Sequence, residues 1–388
     1  MKQQSKQSRK LLIVVIIFFA IIFIAANWST GQRNATKQPI NNHRVLPTNK
    51  LKAKPQASKV ELKLIGTTNQ QLQAQLSAKL QNIGFIGTGI IAEKGQIVAT
   101  WANGDANAST GQKNTLNTPY NINSMQKCVT GVLMMQQIQQ GRLQLTDKLA
   151  DYYPQIANSQ NITIAQMLTM TSGLTMASMG SGTYVSDQAT IADDIARLQF
   201  QPQWYNKMTY QPINYVLMAG ILEQVTGQSY QELFEKGIAE PLNLTDTTFG
   251  YDLGTMTVPL GYGGPLSNPY RQVVALDPNQ QHFELGTGQL YMSAADFYLF
   301  IRSALNGTLI TVANASRLFS CAYGGGLYNQ TNGIKIANGA GVNFGSTVHV
   351  SNDGQAAIIT LSNYMTNYND MKAVVGQLEE FVFTASNK

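Results

Sequence analysis

Two blocks of strand-like sequence bracket a long helical middle, and that order constrains the fold more than any single motif. Near the front, Phe85 to Ala92 and Gln96 to Ala102 are short apolar runs joined at Glu93-Lys94-Gly95, the pattern of a β-hairpin. Near the end, Ile334 to Asn338, Ser346 to Ser351 and Ala356 to Leu361 return to strand, with a closing helical period near 370–383. Between about 141 and 305 the apolar spacing is helical, in LTDKLADYYPQI, ITIAQMLTMTSGL, a stretch near 189–198, NYVLMAGILEQVTGQSYQELFEKGI and SAADFYLFIRSAL. Residues 69–81 predict one more amphipathic helix ahead of the hairpin. An α+β fold is therefore expected: an α/β sandwich whose antiparallel sheet is built from both chain ends and flanked by helices, with a helical domain inserted. No internal repeat is visible.

Within this frame Tyr120 to Gly141, YNINSMQKCVTGVLMMQQIQQG, predicts a helix that Ser124 opens. Its apolar residues fall at Met125, Cys128, Val129, Val132, Leu133, Met135 and Ile138, so one face turns to a core. Lys127 stands one turn beyond Ser124 on the same side. A serine hydroxyl is a poor nucleophile until a base takes its proton, and a lysine can do so if its surroundings leave it partly neutral. A helix N-terminus adds partial positive charge that favours the developing alkoxide. The pair is chemically competent but uninformative alone, because a chain this long holds on the order of one Ser-x-x-Lys by chance.

Composition bounds the rest. The chain has 388 residues, 44% hydrophobic and 12% charged, enough for one large core or two modest ones. Residues 11–26, LLIVVIIFFAIIFIAA, carry no polar side-chain atom and follow Lys2, Lys6, Arg9 and Lys10. Asn27 and Trp28 can extend this run into the interface. A cleaved signal peptide and an uncleaved anchor both fit; the length and the lack of a small-x-small pair in IAANWS favour the anchor, with the remainder outside the cell. The expected organisation is a basic segment at 1–10, a membrane anchor at 11–28, a tether at 29–58 rich in Gln, Asn, Lys and Pro, and a globular domain at 59–388.

The net charge of +6 is uneven, since residues 1–63 carry +11 and the rest −5. The basic tether suits anionic lipid heads or anionic wall polymers, and a mildly acidic exported domain is a poor partner for nucleic acid. Cys128 and Cys321 make no disulfide framework, and Cys128 reads as a buried thiol. His43 falls in the tether, His282 and His349 are isolated, and no Gly-x-Ser-x-Gly elbow occurs, which argues against a Ser-His-Asp triad. No His-Glu-x-x-His or cysteine pair suggests a metal, and no cofactor is expected. Met134, Met135, Met167 and Met170 read as core packing.

Taken together, six ordered segments resemble the serine β-lactamase and penicillin-binding protein superfamily, in its class C-like branch, over roughly Phe85 to Phe383. These are NINSMQKCVTG, GRLQLTDKLADYYPQI, ITIAQMLTMTSGL, YQPINYVLMAGILEQVTGQSY, PLNLTDTTF and GTGQLYMSAADFYLFI. The resemblance implies that Ser124 is the acylated nucleophile, Lys127 its base or proton relay, and Tyr210 the second proton carrier. It also implies an oxyanion hole from the backbone N–H groups of Ser124 and Gly341.

Two segments depart from the family pattern. Its Tyr-x-Asn is Tyr210-Gln211-Pro212 here, and Asn214 lies too far along to substitute with ease. Its Lys-Thr-Gly is Asn338-Gly339-Ala340, and Lys335, three residues earlier, points to the opposite strand face from Asn338. D-Ala-D-Ala peptides and β-lactams present a free carboxylate that needs a cation there, whereas a D-alanyl ester does not. The anchor and neutral last motif are similar to the teichoic-acid D-alanine esterase subgroup, without that subgroup's aspartate. The resemblance thus implies a cell-wall polymer, teichoic acid or peptidoglycan, as substrate. The rival from another class is a non-catalytic wall-binding relative with two eroded motifs.

Overall fold

The computed structural model describes residues 64–180 and 182–383, all within one compact unit. The expected basic segment, anchor and tether lie outside those residues; among the described ones no helix is long and apolar enough to cross a membrane.

The central sheet has seven strands. They are β1 (Gly87–Glu93), β2 (Gln96–Asn103), β3 (Tyr323–Gly324), β4 (Leu327–Asn329), β5 (Lys335–Gly341), β6 (Phe344–Val350) and β7 (Ala357–Ser362). Their spatial order is β3-β4-β5-β6-β7-β1-β2, with every neighbour antiparallel. The two chain ends meet where β1 pairs with β7, Ile90 opposite Ile359 and Ile91 opposite Ile358. The expected hairpin and the three late strands are present, within three residues of the predicted limits at each end.

Seven helices of two turns or more are described: α1 (Gln70–Asn82), α2 (Gln126–Gln139), α3 (Asp187–Arg197), α4 (Ile213–Thr226), α5 (Ala294–Leu305), α6 (Val312–Phe319) and α7 (Tyr368–Val382). Strand alternation sorts the core into two layers. Ile91 and Ile358 face α1 and α7, among Leu72, Leu76, Leu80, Met371, Val375 and Leu378. Ile90, Ile359 and Val348 face the larger core around α2 and the inserted helices. Fully burying one such aliphatic side chain contributes about 1.5–3 kcal/mol, so both layers are needed to hold the sheet.

Two expectations need correction. The helix predicted from Tyr120 begins at Gln126; Tyr120–Asn121 is instead a short strand beside Leu290–Met292, which also pairs with Thr247–Phe249. The cause is local. Asn121 Oδ1 accepts from the Asn123 N–H at 2.7 Å, and Asn123 takes a left-handed φ of 47°, an alternative to helix that asparagine tolerates. Ser124 therefore sits in a single 3₁₀ turn, Asn123–Met125, that feeds α2. Likewise LTDKLADYYPQI yields only the turn Leu149–Asp151, because Asp147 and Asp151 accept from the N–H groups of Gln144 and Lys148. The antiparallel pair Ser172–Thr175 with Gln199–Tyr205, which brackets α3, has no counterpart in the sequence reading.

Candidate active site

The site is made where the 3₁₀ turn meets the edge of β5. A Cβ on Gly339 would lie 2.2 Å from the Ile122 carbonyl oxygen, and one on Gly341 would lie 2.7 Å from Asn123 Oδ1. At Gly339, which meets backbone, only glycine permits that approach. Ser346, opposite Gly339 on β6, donates its hydroxyl to the Ile122 carbonyl at 2.9 Å, and Asn123 Nδ2 donates to the Phe344 carbonyl at 3.3 Å. Turn and strand are clasped from both sides.

On this seat Lys127 Nζ and Ser124 Oγ are 2.9 Å apart. Lys127 is buried, 1% exposed, while Ser124 is half-buried at the surface of the cleft. Gln126 between them anchors the start of α2, its Oε1 accepting from the N–H groups of Gln289 at 2.5 Å and Leu290 at 2.8 Å. Tyr210 reaches the pair from the loop before α4, its ring centroid 5.3 Å from Lys127 Nζ. Its ring packs edge-on against Tyr323 at 6.1 Å. Serine hydroxyl, lysine amine and tyrosine ring are thus gathered although Tyr210 stands 86 positions beyond Ser124 in the sequence.

Beside Ser124 opens a cleft of about 80 Å³ lined by Asn121, Asn123, Gln281, Glu284, Thr287, Gly288, Ala340, Gly341 and Val342. A larger groove, about 490 Å³ between α1 and α7, lies on the other side of the sheet and holds no serine or cysteine. Chemistry, not volume, selects the smaller one. Among the described residues no lysine or arginine lines it, and Glu284 is the single ionisable side chain in that lining.

The remaining predicted residues separate into those at the cleft and those away from it. Ala340 and Gly341 line it with Ser124. Gly339 lies behind it, against the serine turn. Asn338 does not line it: by strand alternation its side chain points away from α2, in a row with Thr347 and Thr360. Lys335 does share the Gly339 face, but its ammonium is buried against the Phe319 carbonyl, 3.0 Å away, and Asn329 Oδ1. Gln211 turns its Oε1 to the Met176 N–H at 3.1 Å, and Asn214 is tied to Ser172 Oγ at 2.6 Å.

Other groups settle as structure. Cys128 is a free thiol, and burial pushes it up to about 12, beyond reactive range. His349 pairs with Glu379 of α7 at 2.5 Å. Met134, Met135, Met167 and Met170 are core residues. Sequence reasoning missed Asn121, Gln281, Glu284 and Val342, which come from three separated segments; the nearest signal was the Gly-rich GTGQLYM that follows Glu284.

A serine held against a buried lysine at the seam between an antiparallel sheet and a helical insertion defines a serine hydrolase of the Ser-x-x-Lys type. The chain belongs to the beta-lactamase family, whose model matches residues 74–378. Among curated proteins it is 26% identical to PbpX of Bacillus subtilis (strain 168), a protein named for penicillin binding, across all of this chain and 97% of that one. It is 30% identical to the teichoic acid D-alanine hydrolase of Staphylococcus aureus over 74% of this chain and 67% of that protein. Among solved structures, FmtA from Staphylococcus aureus superposes with a TM-score of 0.70 at 24% identity, covering 82% of this chain and 89% of FmtA.

Proposed function

We propose that this protein is a membrane-anchored, outward-facing esterase that removes D-alanine from wall teichoic acid through an acyl-enzyme on Ser124. The observation that carries the reading is the 2.9 Å contact between Ser124 Oγ and Lys127 Nζ beside a cleft that no lysine or arginine among the described residues lines. A substrate ending in a free carboxylate needs such a cation; an ester inside a polymer does not. The anchor is read from residues 11–26, and the S. aureus hydrolase of similar sequence supports the choice of acyl group.

The steps follow from the placement of the side chains. Lys127 takes the Ser124 proton as Oγ attacks the ester carbonyl, and general-base help of this kind is worth about 10²–10⁴-fold. The tetrahedral oxyanion forms against the backbone N–H groups of Ser124 and Gly341, where each donor is worth about 10²–10³-fold. The C–O bond to the polyol breaks, and Tyr210 delivers the proton that the leaving oxygen takes. Water then attacks the Ser124 ester, its proton returning through Tyr210 and Lys127, and D-alanine departs.

Ala340 and Gly341 contribute strand backbone to substrate binding in this reading, while Gly339 holds the strand against the serine turn and Asn338 does not line the cleft. The test compares release of D-alanine from teichoic acid with hydrolysis of a D-Ala-D-Ala peptide by residues 59–388. Ester turnover with little peptide turnover is expected. Peptide turnover without ester turnover would overturn the substrate assignment, and neither activity together with no Ser124 adduct would favour a wall-binding protein.

A further inference from the structure

Glu284 is the charge that the steps above leave unused. Its carboxylate lines the same small cleft as Ser124, following the short helix Pro278–His282. Thr287 fixes it, the hydroxyl lying 3.1 Å from Oε2. Among the described residues no lysine or arginine pairs with it. The basic side chain on the neighbouring α3, Arg197, is committed to Asp193 at 2.9 Å and Asp194 at 2.6 Å. Among the described residues the other side chains around the cleft are neutral amides, the hydroxyls of Ser124 and Thr287, and small apolar groups.

A fixed, unpaired carboxylate in a pocket of about 80 Å³ calls for a cation small enough to enter with the reacting carbonyl. Such a volume holds a few water-sized groups, the scale of one alanyl residue. A D-alanyl ester carries its ammonium on the carbon next to the carbonyl that Ser124 attacks. In an N-acylated peptide or a penicillin, that nitrogen is a neutral amide.

We infer that Glu284 is the specificity-determining residue of the site and pairs with the α-ammonium of the acyl group, so that the cleft accepts an unblocked D-aminoacyl ester and disfavours N-acylated ones. This rests on the acyl-transfer reading given above. A carboxylate that pairs with substrate strengthens the bound state of one substrate and not of its acetylated twin. Discrimination of this kind is worth about 10- to 100-fold, the range for a hydrogen bond to a charged group.

The experiment measures kcat/KM for a D-alanyl ester and for its N-acetyl counterpart with the same leaving group. The proteins are the intact chain, Glu284→Gln and Glu284→Asp, with thermal unfolding to establish that each is folded. The ratio of amine ester to N-acetyl ester should exceed one in the natural protein, fall about 10- to 100-fold in Glu284→Gln, and be retained in larger part by Glu284→Asp, which keeps the charge. A ratio that Glu284→Gln leaves unchanged overturns the inference, whatever happens to the absolute rates. Failure of the parent reading looks different: neither ester then acylates Ser124 in the natural protein, and the assignment of Glu284 falls with it.

Discussion

At the scale of single residues, the site divides by sequence distance. Ser124 and Lys127 were legible because one helical turn suffices to bring them together, and Tyr210 because a motif surrounds it. Glu284 was not, since nothing in the sequence tells which of 21 acidic residues folds over to the serine. Asn338 and Lys335 show a subtler limit: alternation says that they occupy opposite faces, but not which face α2 covers. Lys127 is the sharpest test at this scale. Its amine meets Ser124 in a buried position, so Lys127→Met keeps the volume and removes the base. Acylation of Ser124 is expected to slow by about 10³-fold or more, with a melting temperature close to the parent, as followed by adduct formation and thermal unfolding. Acylation at the parent rate would show that the proton leaves by another route. Tyr210→Phe is expected to lower turnover by about 10²-fold or more, measured as D-alanine release.

At the scale of elements, α1, α3 and α5 were legible in the sequence, each opened by a side-chain oxygen of Asn69, Ser186 or Ser293, whereas α6, although Thr311 caps it, and the start of α2 were not. Ahead of α2, by contrast, Asn121 and Asn123 divert the backbone, and periodicity cannot see that. The seat of α2 depends on Gln126, which satisfies two buried N–H groups at once. Gln126→Leu is expected to destabilise the fold by about 2–5 kcal/mol, read from denaturant unfolding; a change under about 0.5 kcal/mol would mean that the two N–H groups find other partners.

A second joint, between α3 and α4, is pH-sensitive. Burial and the neighbouring Asp187 carboxyl raise Glu223 to about 7, and burial raises Asp187 as well, so the pair favours a shared proton. The folded chain keeps that proton up to about pH 7, whereas an exposed Glu loses it near 4.5. Stability from this pair is therefore full below about 4.5 and is lost as pH rises through 7. The melting temperature of Glu223→Gln should gain on the parent between about pH 4 and about pH 8, two conditions on either side of the shift. A difference that does not change with pH would contradict the shared proton.

For the whole molecule, the arrangement most legible in the sequence was the sheet closed by both ends. Residues 87–103 and 323–362 form one seven-stranded layer, so the helices between them must project as an insertion, and the site lies at that seam. What the pattern could not give was the minor pairing, including the three-stranded sheet of Tyr120–Asn121, Leu290–Met292 and Thr247–Phe249, whose strands are too short to show a period. The apolar run at 11–26 leads to a prediction at this scale. The full chain should sediment with membranes and be released by detergent but not by salt, and residues 59–388 should stay in solution; release of the full chain by salt alone would contradict an anchor. The central claim is that Ser124 carries the acyl group, and intact-mass measurement after mixing residues 59–388 with an activated D-alanyl ester tests it most directly. The account predicts one added D-alanyl group, located on Ser124 by peptide mapping and absent from Ser124→Ala and Lys127→Met. An adduct elsewhere, or one that persists in Ser124→Ala, would contradict it.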